Sequence, residues 1–140
     1  VFSHYLCPKR TTVRQWSDRK KKVVEPLFRN YLFACVNERD RLQVLQTNGI
    51  VRCVHFHGMP ATLRPEVVVD LQKAQSVPER LSVVGMRPPV GATVTITEGP
   101  ESLQGLTGEL CEHCGQSYVM VRLNLLRQAV RVQVPGQWVA

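Results

Sequence analysis

Residues Val90–Leu110, VGATVTITEGPESLQGLTGEL, contain the pattern that decides the fold. Polar and apolar side chains alternate over Thr93–Ile96, as they do in a strand with one buried face. Gly99-Pro100 ends this strand, because such a dipeptide favours a turn. Gly105 and Gly108 then mark a tight return, where a missing Cβ permits positive φ or a close backbone approach. The stretch therefore predicts a strand, a glycine-rich loop and a second strand.

This glycine spacing resembles the KOW motif, a short element of small SH3-like β-barrels in transcription and ribosomal proteins. The segment Leu103–Gly108 fits the motif, and Glu101 and Ser102 are additional residues before it, so we expect a longer loop than the family norm. An ordinary hairpin loop is the other interpretation of the glycines. The residues that the resemblance assigns to the KOW loop are Gly99, Pro100, Gly105 and Gly108.

The composition limits the class of protein. A chain of 140 residues suits one domain or two very small ones, and a hydrophobic fraction of 44% argues against disorder throughout. The formal net charge of +7 favours an anionic partner such as nucleic acid. The longest apolar run, residues 31–36, is strand-sized, so we expect no membrane segment. Five cysteines in a chain that is not disulfide-dense favour a cytoplasmic location.

The first half of the chain predicts a mixture of strands and helices. Asn37 and Pro65 are helix-start signals, and Asn48-Gly49 is a helix-stop signal. We therefore expect one helix from Asn37 to about Asn48 and another from Pro65 to about Gln75. The basic stretch Lys9–Val24 is expected to be irregular. The predicted strands are Val1–Leu6, Leu27–Val36 and Ile50–Phe56.

The composition changes at Ser76. Prolines and a glycine are spread over Ser76–Pro89, and we expect them to prevent a regular element there. This segment is the predicted linker. Short strands separated by turns follow it, which favours a small barrel. The expected strands are Thr93–Ile96, Leu106–Cys111, Tyr118–Leu123, Val130–Val134 and, as a fifth, Trp138–Val139.

The order of elements in residues 1–75 resembles the back two thirds of an NGN domain, the N-terminal module of the NusG family of transcription elongation factors. Pro26–Phe33 (PLFRNYLF) resembles the family segment Pro-Leu-Phe-Pro-Gly/Ser-Tyr-Val/Leu-Phe. Leu45–Arg52 (LQTNGIVR) resembles Thr-Pro-Gly-Val-Val-Arg after the helix, and Gln15–Lys21 (QWSDRKK) occupies the loop between two strands. Within the family, the chain resembles the specialised RfaH and UpxY paralogues.

The resemblance implies an α+β fold of two domains. Residues 1–75 are the NGN-like domain, an antiparallel sheet with helices; residues 76–89 are the linker, and residues 90–140 are the KOW SH3-like β-barrel. The family domain normally opens with a strand carrying Trp-Tyr and a basic helix, and neither precedes Val1, so we expect an N-terminally truncated domain. Because that strand lies inside the sheet, its absence is expected to expose unpaired backbone groups.

The resemblance further implies that the NGN sheet presents an apolar depression to the clamp helices of RNA polymerase. Phe28, Tyr31 and Phe33 are then the candidate polymerase contacts, because a few aromatic anchors carry most of the energy of an interface. The alternative is that all three rings belong to the core.

The basic stretch supplies the candidate nucleic-acid contacts. Its cations suit the phosphates of upstream DNA or nascent RNA, and the indole of Trp16 can stack on an unpaired base. A solvated surface run without a partner is the alternative. The candidate residues are Arg14, Trp16, Arg19, Lys20, Lys21 and Lys22.

Cys111 and Cys114 form a Cys-x-x-Cys pair, which can hold half of a zinc site or act as a redox couple. A structural zinc needs four ligands, and no second pair follows; Gly115 instead favours a hairpin turn. Neither a Ser-His-Asp set nor a phosphate-binding P-loop can be drawn from the sequence. We therefore expect no metal, no cofactor and no enzymatic activity.

The leading hypothesis is a transcription elongation or antitermination factor that binds RNA polymerase through the NGN-like domain. The KOW barrel binds a second partner, which in the family is a termination factor or a ribosomal protein. The alternative is a KOW-type RNA-binding protein of the ribosome, against which the apolar segment Phe28–Phe33 argues. A thiol-redox enzyme built on Cys111 and Cys114 is a third hypothesis, and it lacks the strand-to-helix setting of such motifs.

Overall fold

The structure is a computed structural model, and it describes residues 5–85 and 91–140. This part of the chain is a mixed α+β structure with antiparallel strand pairing and two helices, Glu38–Leu45 (α1) and Pro65–Ala74 (α2). The strands are Tyr5–Leu6 (β1), Lys9–Gln15 (β2), Lys20–Pro26 (β3), Phe33–Ala34 (β4), His55–Phe56 (β5), Met59–Pro60 (β6), Leu81–Gly85 (β7), Thr93–Thr95 (β8), Thr107–His113 (β9), Gln116–Leu123 (β10) and Gln128–Gln133 (β11).

The largest sheet has five strands in the order β7-β11-β10-β9-β8. Beyond β8, Ile96 forms a β-bridge with Val139, and Thr95 and Ala140 exchange two backbone hydrogen bonds of 3.1 Å. The C-terminal residues therefore lie along the outer edge of β8. Within the described residues the ladder ends at β7 and β8, and no closed barrel is found.

Three two-stranded sheets complete the β-structure of the described residues. β2 and β3 form a hairpin in which all seven residues of each strand are paired. β1 pairs with β4 through Tyr5↔Ala34 and Leu6↔Phe33, and β5 pairs with β6. Such short ladders are marginal in water, so this half of the chain depends on side-chain packing.

One hydrophobic core runs from the first half of the chain into the second. Phe28, Leu71 of α2, and Leu103 and Leu106 of the glycine-rich loop belong to the same buried cluster. α2 packs against β10 and against the 3-10 turn Glu101–Leu103. Because burial of a leucine side chain stabilises a fold by about 1.5–3 kcal/mol, this shared core holds α2 on the large sheet.

Both helices form where the capping signals predict them. The side chain of Asn37 accepts a 2.8 Å hydrogen bond from the backbone N–H of Asp40, which is the expected N-cap interaction. Pro65 lies in the first turn of α2. The backbone N–H groups of a first turn have no partner within the helix, so the missing N–H of proline costs no hydrogen bond there. The side chains that α2 buries are Val67, Leu71 and Ala74.

The prediction that Lys9–Val24 is irregular is wrong, because β2 and β3 cover most of it as a hairpin. Thr11 lies opposite Val24, and Thr12 lies opposite Val23. These β-branched pairs favour a strand ladder. The lysines and arginines around them concealed that signal in the sequence.

Two strands predicted from continuous apolar runs are much shorter in the structure. Leu27–Val36 contains only β4, and the residues before β4 form a turn. Ile50–Phe56 contains only β5, at its end. β4 pairs with β1 and β5 pairs with β6, and each partner strand has only two residues. Each strand therefore ends where its partner no longer supplies backbone hydrogen bonds. Of the predicted strand Val1–Leu6, only β1 lies among the described residues.

The C-terminal strands are confirmed as β8, β9, β10 and β11 with modest shifts of their ends. The predicted fifth strand, Trp138–Val139, is instead the end of a 3-10 turn, Gly136–Trp138, followed by the bridge from Val139 to Ile96. Pro135 at the start of this turn prevents a longer ladder, since proline has no backbone N–H to donate.

The prediction that Ser76–Pro89 lacks a regular element is also wrong. Leu81–Gly85 is β7, which pairs with β11 at the edge of the large sheet. Its apolar residues fit a strand, and Pro78 starts a separate 3-10 turn before it. The end of the predicted linker and Val90, the start of the predicted KOW domain, lie outside the described residues.

Phe28→Ala is expected to destabilise the fold by about 3–5 kcal/mol, the usual cost of removing a phenylalanine from a core. The reason is that Phe28 is buried in the shared cluster and packs on Phe33. The free energy of unfolding from a urea titration measures the effect. Tyr31→Ala, at a neighbouring exposed ring, is the control and is expected to change this free energy by less than about 1 kcal/mol. Equal losses for the two variants would contradict the core position of Phe28.

Candidate functional site

The aromatic segment Phe28–Phe33 is divided between core and surface. Phe28 is 3% exposed, and its ring meets that of Phe33 edge to face, with centroids 6.0 Å apart. Phe33 is partly buried against the core, whereas Tyr31 is 38% exposed. The burial of Phe28 agrees with the alternative that this ring belongs to the core. Tyr31 and the accessible edge of Phe33 remain candidate contacts.

A second group of exposed apolar side chains was missed in the sequence. Val51 is 93% exposed, and Phe56 and Met59 are 59% and 70% exposed. Phe56 and Met59 lie opposite each other on β5 and β6, so they share one face of that hairpin. The sequence predicted a strand over Ile50–Phe56 and did not indicate that Val51 and Phe56 are exposed, because a run of apolar residues does not show which side chains pack against another surface.

All six candidate nucleic-acid contacts lie on the hairpin of β2 and β3. Its turn is closed by a 2.7 Å hydrogen bond from the backbone N–H of Trp16 to the carbonyl oxygen of Arg19. The Trp16 ring is 45% exposed. Lys21 Nζ lies 4.5 Å from the centroid of that ring, and the guanidinium carbon of Arg19 lies 5.8 Å away. The hairpin tip therefore combines an accessible indole with two adjacent cations.

The basic side chains of the hairpin occupy two faces. Arg14 lies opposite Lys21, and Val13 lies opposite Lys22. Directly opposed residues share a face, and neighbouring residues along a strand point to opposite faces. Arg14 also forms a 2.9 Å ion pair with Glu25, which offsets part of its charge. The structure thus separates Lys21 from Lys22, although they are adjacent in the sequence.

The positive charge of the chain lies in the half that contains this hairpin. Residues 1–75 hold 13 of the 18 lysines and arginines and 6 of the 11 aspartates and glutamates. The formal net charge of this half is therefore +7, equal to that of the whole chain. Such a charge attracts polyanions to the first half of the chain rather than to the second.

The glycine-rich loop packs closely against the rest of the structure. A Cβ at Gly99, where φ is +88°, would lie 2.6 Å from the ring of Trp138. A Cβ at Gly108 would overlap the carbonyl oxygen of Met120 on the neighbouring strand. Glu101–Leu103 form a 3-10 turn, so the additional residues after Pro100 are part of a defined loop.

The loop is also tied to the end of α2. Lys73 Nζ donates a 2.6 Å hydrogen bond to the carbonyl oxygen of Gln104, and Gly105 lies next to the same ammonium group. Ser102 Oγ donates to Ser76 Oγ at 2.9 Å. Of the residues assigned to the loop, Gly105 therefore lies against α2, Gly108 against β10 and Gly99 against Trp138.

A cleft of about 250 Å³ lies between α2 and strands β9 and β10. Burial raises the pKa of Asp70 at its edge, while the backbone hydrogen bond from Thr107 and the charge of Lys73 act in the opposite direction. Arg122, which also lines the cleft, forms an ion pair with Glu109. Side chains of both signs of charge line the cleft, so its charge favours neither an anionic nor a cationic ligand.

Cys111 lies on β9, and Cys114 lies in the following turn with a φ of 52°. This is the hairpin turn that the sequence favoured over half a zinc site. Within residues 5–85 and 91–140, no group of three His, Cys, Asp or Glu side chains has the arrangement of a metal site. In the same part of the chain, no helix combines the length and the apolar character of a membrane span.

Comparison with protein families assigns the chain. The family model described as transcription termination factor nusG matches residues 2–72. This is half of the chain, and the chain belongs to the NusG family. Members of the family act in transcription elongation and termination and bind RNA polymerase. The matched residues include both Tyr31 and the basic hairpin. A comparison with curated proteins finds no match.

Gly108→Ala is expected to lower the free energy of unfolding by about 1–3 kcal/mol, the typical cost of overpacking. The added methyl group would meet backbone atoms of Met120, which cannot move without distorting β10. Thermal or urea unfolding measures the loss. Gly136→Ala is the matched control, because a Cβ there meets no atom within 4 Å. A Gly108→Ala variant as stable as Gly136→Ala would contradict the close approach.

The stability contribution of Asp70 is expected to depend on pH. Its folded pKa is raised from 3.8 because burial penalises the carboxylate. The contribution is therefore fully present below the unfolded pKa and is lost as the pH rises through the folded pKa. Urea unfolding at a series of acid and neutral pH values should show that Asp70→Asn gains stability relative to the wild type as the pH rises. Asp18→Asn, at the exposed hairpin turn, controls for the substitution itself. Parallel profiles for the wild type and Asp70→Asn would contradict the raised pKa.

Proposed function

We propose that this chain is a transcription elongation or antitermination factor that binds RNA polymerase through its first half. The observation that carries the proposal is the position of Tyr31, which lies within the matched residues 2–72 and has an exposed ring. A few aromatic anchors typically supply most of the binding energy of an interface. Tyr31 is therefore the proposed central anchor, and the partly buried Phe33 is the second candidate contact.

The packing on either side of Tyr31 in the chain supports this role. Phe28 and Phe33 form an edge-to-face pair, and Phe28 belongs to the core. A turn whose two ends are held by packed rings loses little conformational entropy on binding, which favours affinity. Leu32 is also exposed and extends the apolar surface next to Tyr31. In this arrangement Phe28 acts through the position of the turn and makes no contact with the polymerase.

The basic hairpin is the proposed contact with upstream DNA or nascent RNA. Its exposed lysines can neutralise phosphates, and each neutralised phosphate of a duplex contributes about −0.9 to the slope of log affinity against log salt. Arg14 contributes less than the lysines, because Glu25 already pairs with it. The candidate contacts remain Arg14, Trp16, Arg19, Lys20, Lys21 and Lys22.

The second half of the chain is proposed to act as a KOW domain, with a ribosomal protein or a termination factor as its partner. The five-stranded antiparallel sheet and the pairing of Ala140 with β8 support a small barrel of the SH3-like type. We propose a cytoplasmic protein without cofactor or catalytic activity, similar to the RfaH and UpxY paralogues. In this proposal the chain connects polymerase to a second macromolecule.

Co-purification of RNA polymerase with the tagged full chain tests the proposal. The wild type is expected to retain the polymerase, and Tyr31→Ala is expected to weaken the affinity at least about tenfold, because loss of an anchor costs about 2 kcal/mol or more. Leu42→Ala is the control, since Leu42 is an exposed apolar residue of α1 away from the aromatic segment.

Equal retention of polymerase by Tyr31→Ala and Leu42→Ala would exclude Tyr31 as the anchor. Recovery of ribosomal RNA instead of polymerase would favour the alternative of a KOW-type ribosomal RNA-binding protein. A transcription assay with purified polymerase completes the test, because the proposed factor is expected to reduce pausing and Tyr31→Ala to reduce that effect.

A further inference from the structure

We propose that the tip of the β2–β3 hairpin binds single-stranded nucleic acid, with Trp16 stacking on an unpaired base and with Lys21 and Arg19 holding the adjacent phosphates. This inference rests on the nucleic-acid role proposed above for the hairpin. It adds the form of the ligand and the face of the hairpin that contacts it.

The turn presents the indole of Trp16 at a fixed place. The backbone N–H of Trp16 donates to the carbonyl oxygen of Arg19 at 2.7 Å, and the side-chain amide of Gln15 donates to the carbonyl oxygen of Trp16 at 3.0 Å. Both backbone polar groups of Trp16 are thus engaged, while its side chain is 45% exposed. An accessible ring on a closed turn is suited to stacking.

The ligand follows from the geometry of stacking. In a duplex each base face is covered by the next base pair, so an indole finds no free face without unstacking. An unpaired base offers its face to an aromatic side chain regardless of its identity. The exposed ring of Trp16 therefore favours an unpaired strand over a duplex, without selecting a sequence.

The two cations beside the ring complete the site. Lys21 Nζ lies 4.5 Å from the ring centroid, and the guanidinium of Arg19 lies 5.8 Å from it. Cation–π attraction holds these groups over the indole, and in the proposed complex they move from the stacking face of the ring to the phosphates on either side of the stacked base. This half of the chain carries the net positive charge, which brings a polyanion to the tip.

The hairpin register assigns the contact to one face. Lys21 shares its face with Arg14, whereas the adjacent Lys22 lies opposite Val13 on the other face. A nucleic-acid strand that stacks on Trp16 therefore runs along the face that carries Lys21, while Lys22 lies on the opposite face of the hairpin. Lys21 and Lys22 are thus a matched pair of equal charge and nearly equal sequence position.

The test uses the intrinsic tryptophan fluorescence of the full chain. Oligothymidylate, oligouridylate and a DNA duplex of the same length are titrated at one salt concentration. Both single strands are expected to quench the fluorescence and to bind about tenfold more tightly than the duplex. The tighter of the two single strands identifies DNA or RNA as the natural source, and either result supports the proposal.

The variants separate stacking from charge. Trp16→Ala is expected to bind the single strands about tenfold more weakly, the usual cost of removing a ring on which a base stacks, and Trp16→Phe is expected to retain part of the affinity. The affinities of these two variants are measured by the fluorescence anisotropy of dye-labelled single strands, because the quenching signal disappears with the indole. Lys21→Ala is expected to weaken single-strand binding more than Lys22→Ala. Because Trp16 lies at an exposed turn, these substitutions are expected to leave the fold intact, and circular dichroism verifies this.

Duplex binding as tight as single-strand binding would overturn the proposal. Wild-type affinity in Trp16→Ala would overturn it as well, and so would equal losses in Lys21→Ala and Lys22→Ala. Such results would not contradict the proposed function if the wild type retains RNA polymerase and Tyr31→Ala retains less of it. Conversely, strand-selective binding with no polymerase retention would reject the proposed function and keep the site.

Discussion

The burial of α2 against the large sheet is the contact on which the rest of the structure depends. Leu71 of α2 and Leu103 and Leu106 of the glycine-rich loop are fully buried and share a cluster with Phe28. The sheets β1–β4 and β5–β6 have only two residues in each strand, so their ladders contribute little alone. The first half of the chain gains its order largely from this shared core.

The two candidate surfaces are supported by that core in different ways. Tyr31 lies between Phe28 and Phe33 in the chain, and the rings of these two residues pack on each other and on the core. The hairpin is held at its base, where β2 packs against the 3-10 turn Pro78–Arg80 and against β7. Its tip around Trp16 extends into solvent. A packed base and an accessible end allow both surfaces to meet large partners without rearrangement of the core.

Capping residues and polar–apolar alternation predicted the helices and most strands of the last third of the chain correctly. Asn37 and Pro65 gave the helix starts, and the alternation in the last third gave β8 to β11. Longer strands were predicted wherever apolar residues ran together, because the sequence does not show which neighbour supplies the hydrogen bonds. The same ambiguity concealed the difference between Phe28 and Tyr31, since both belong to one apolar segment. The six basic-hairpin candidates lie on one hairpin, where the sequence predicted an irregular stretch, and their division into faces required the strand register.

β7 makes part of the connection between the two halves of the chain a strand of the large sheet. Its five residues pair with β11 from Gln128↔Gly85 to Val132↔Leu81, and Leu81 is buried while Val83 packs on the core. The connection that follows α2 therefore enters the large sheet as its edge strand only a few residues after the helix ends. Insertion of one residue within β7 would turn its inward side chains outward, so changes in chain length are more readily tolerated outside this strand than within it.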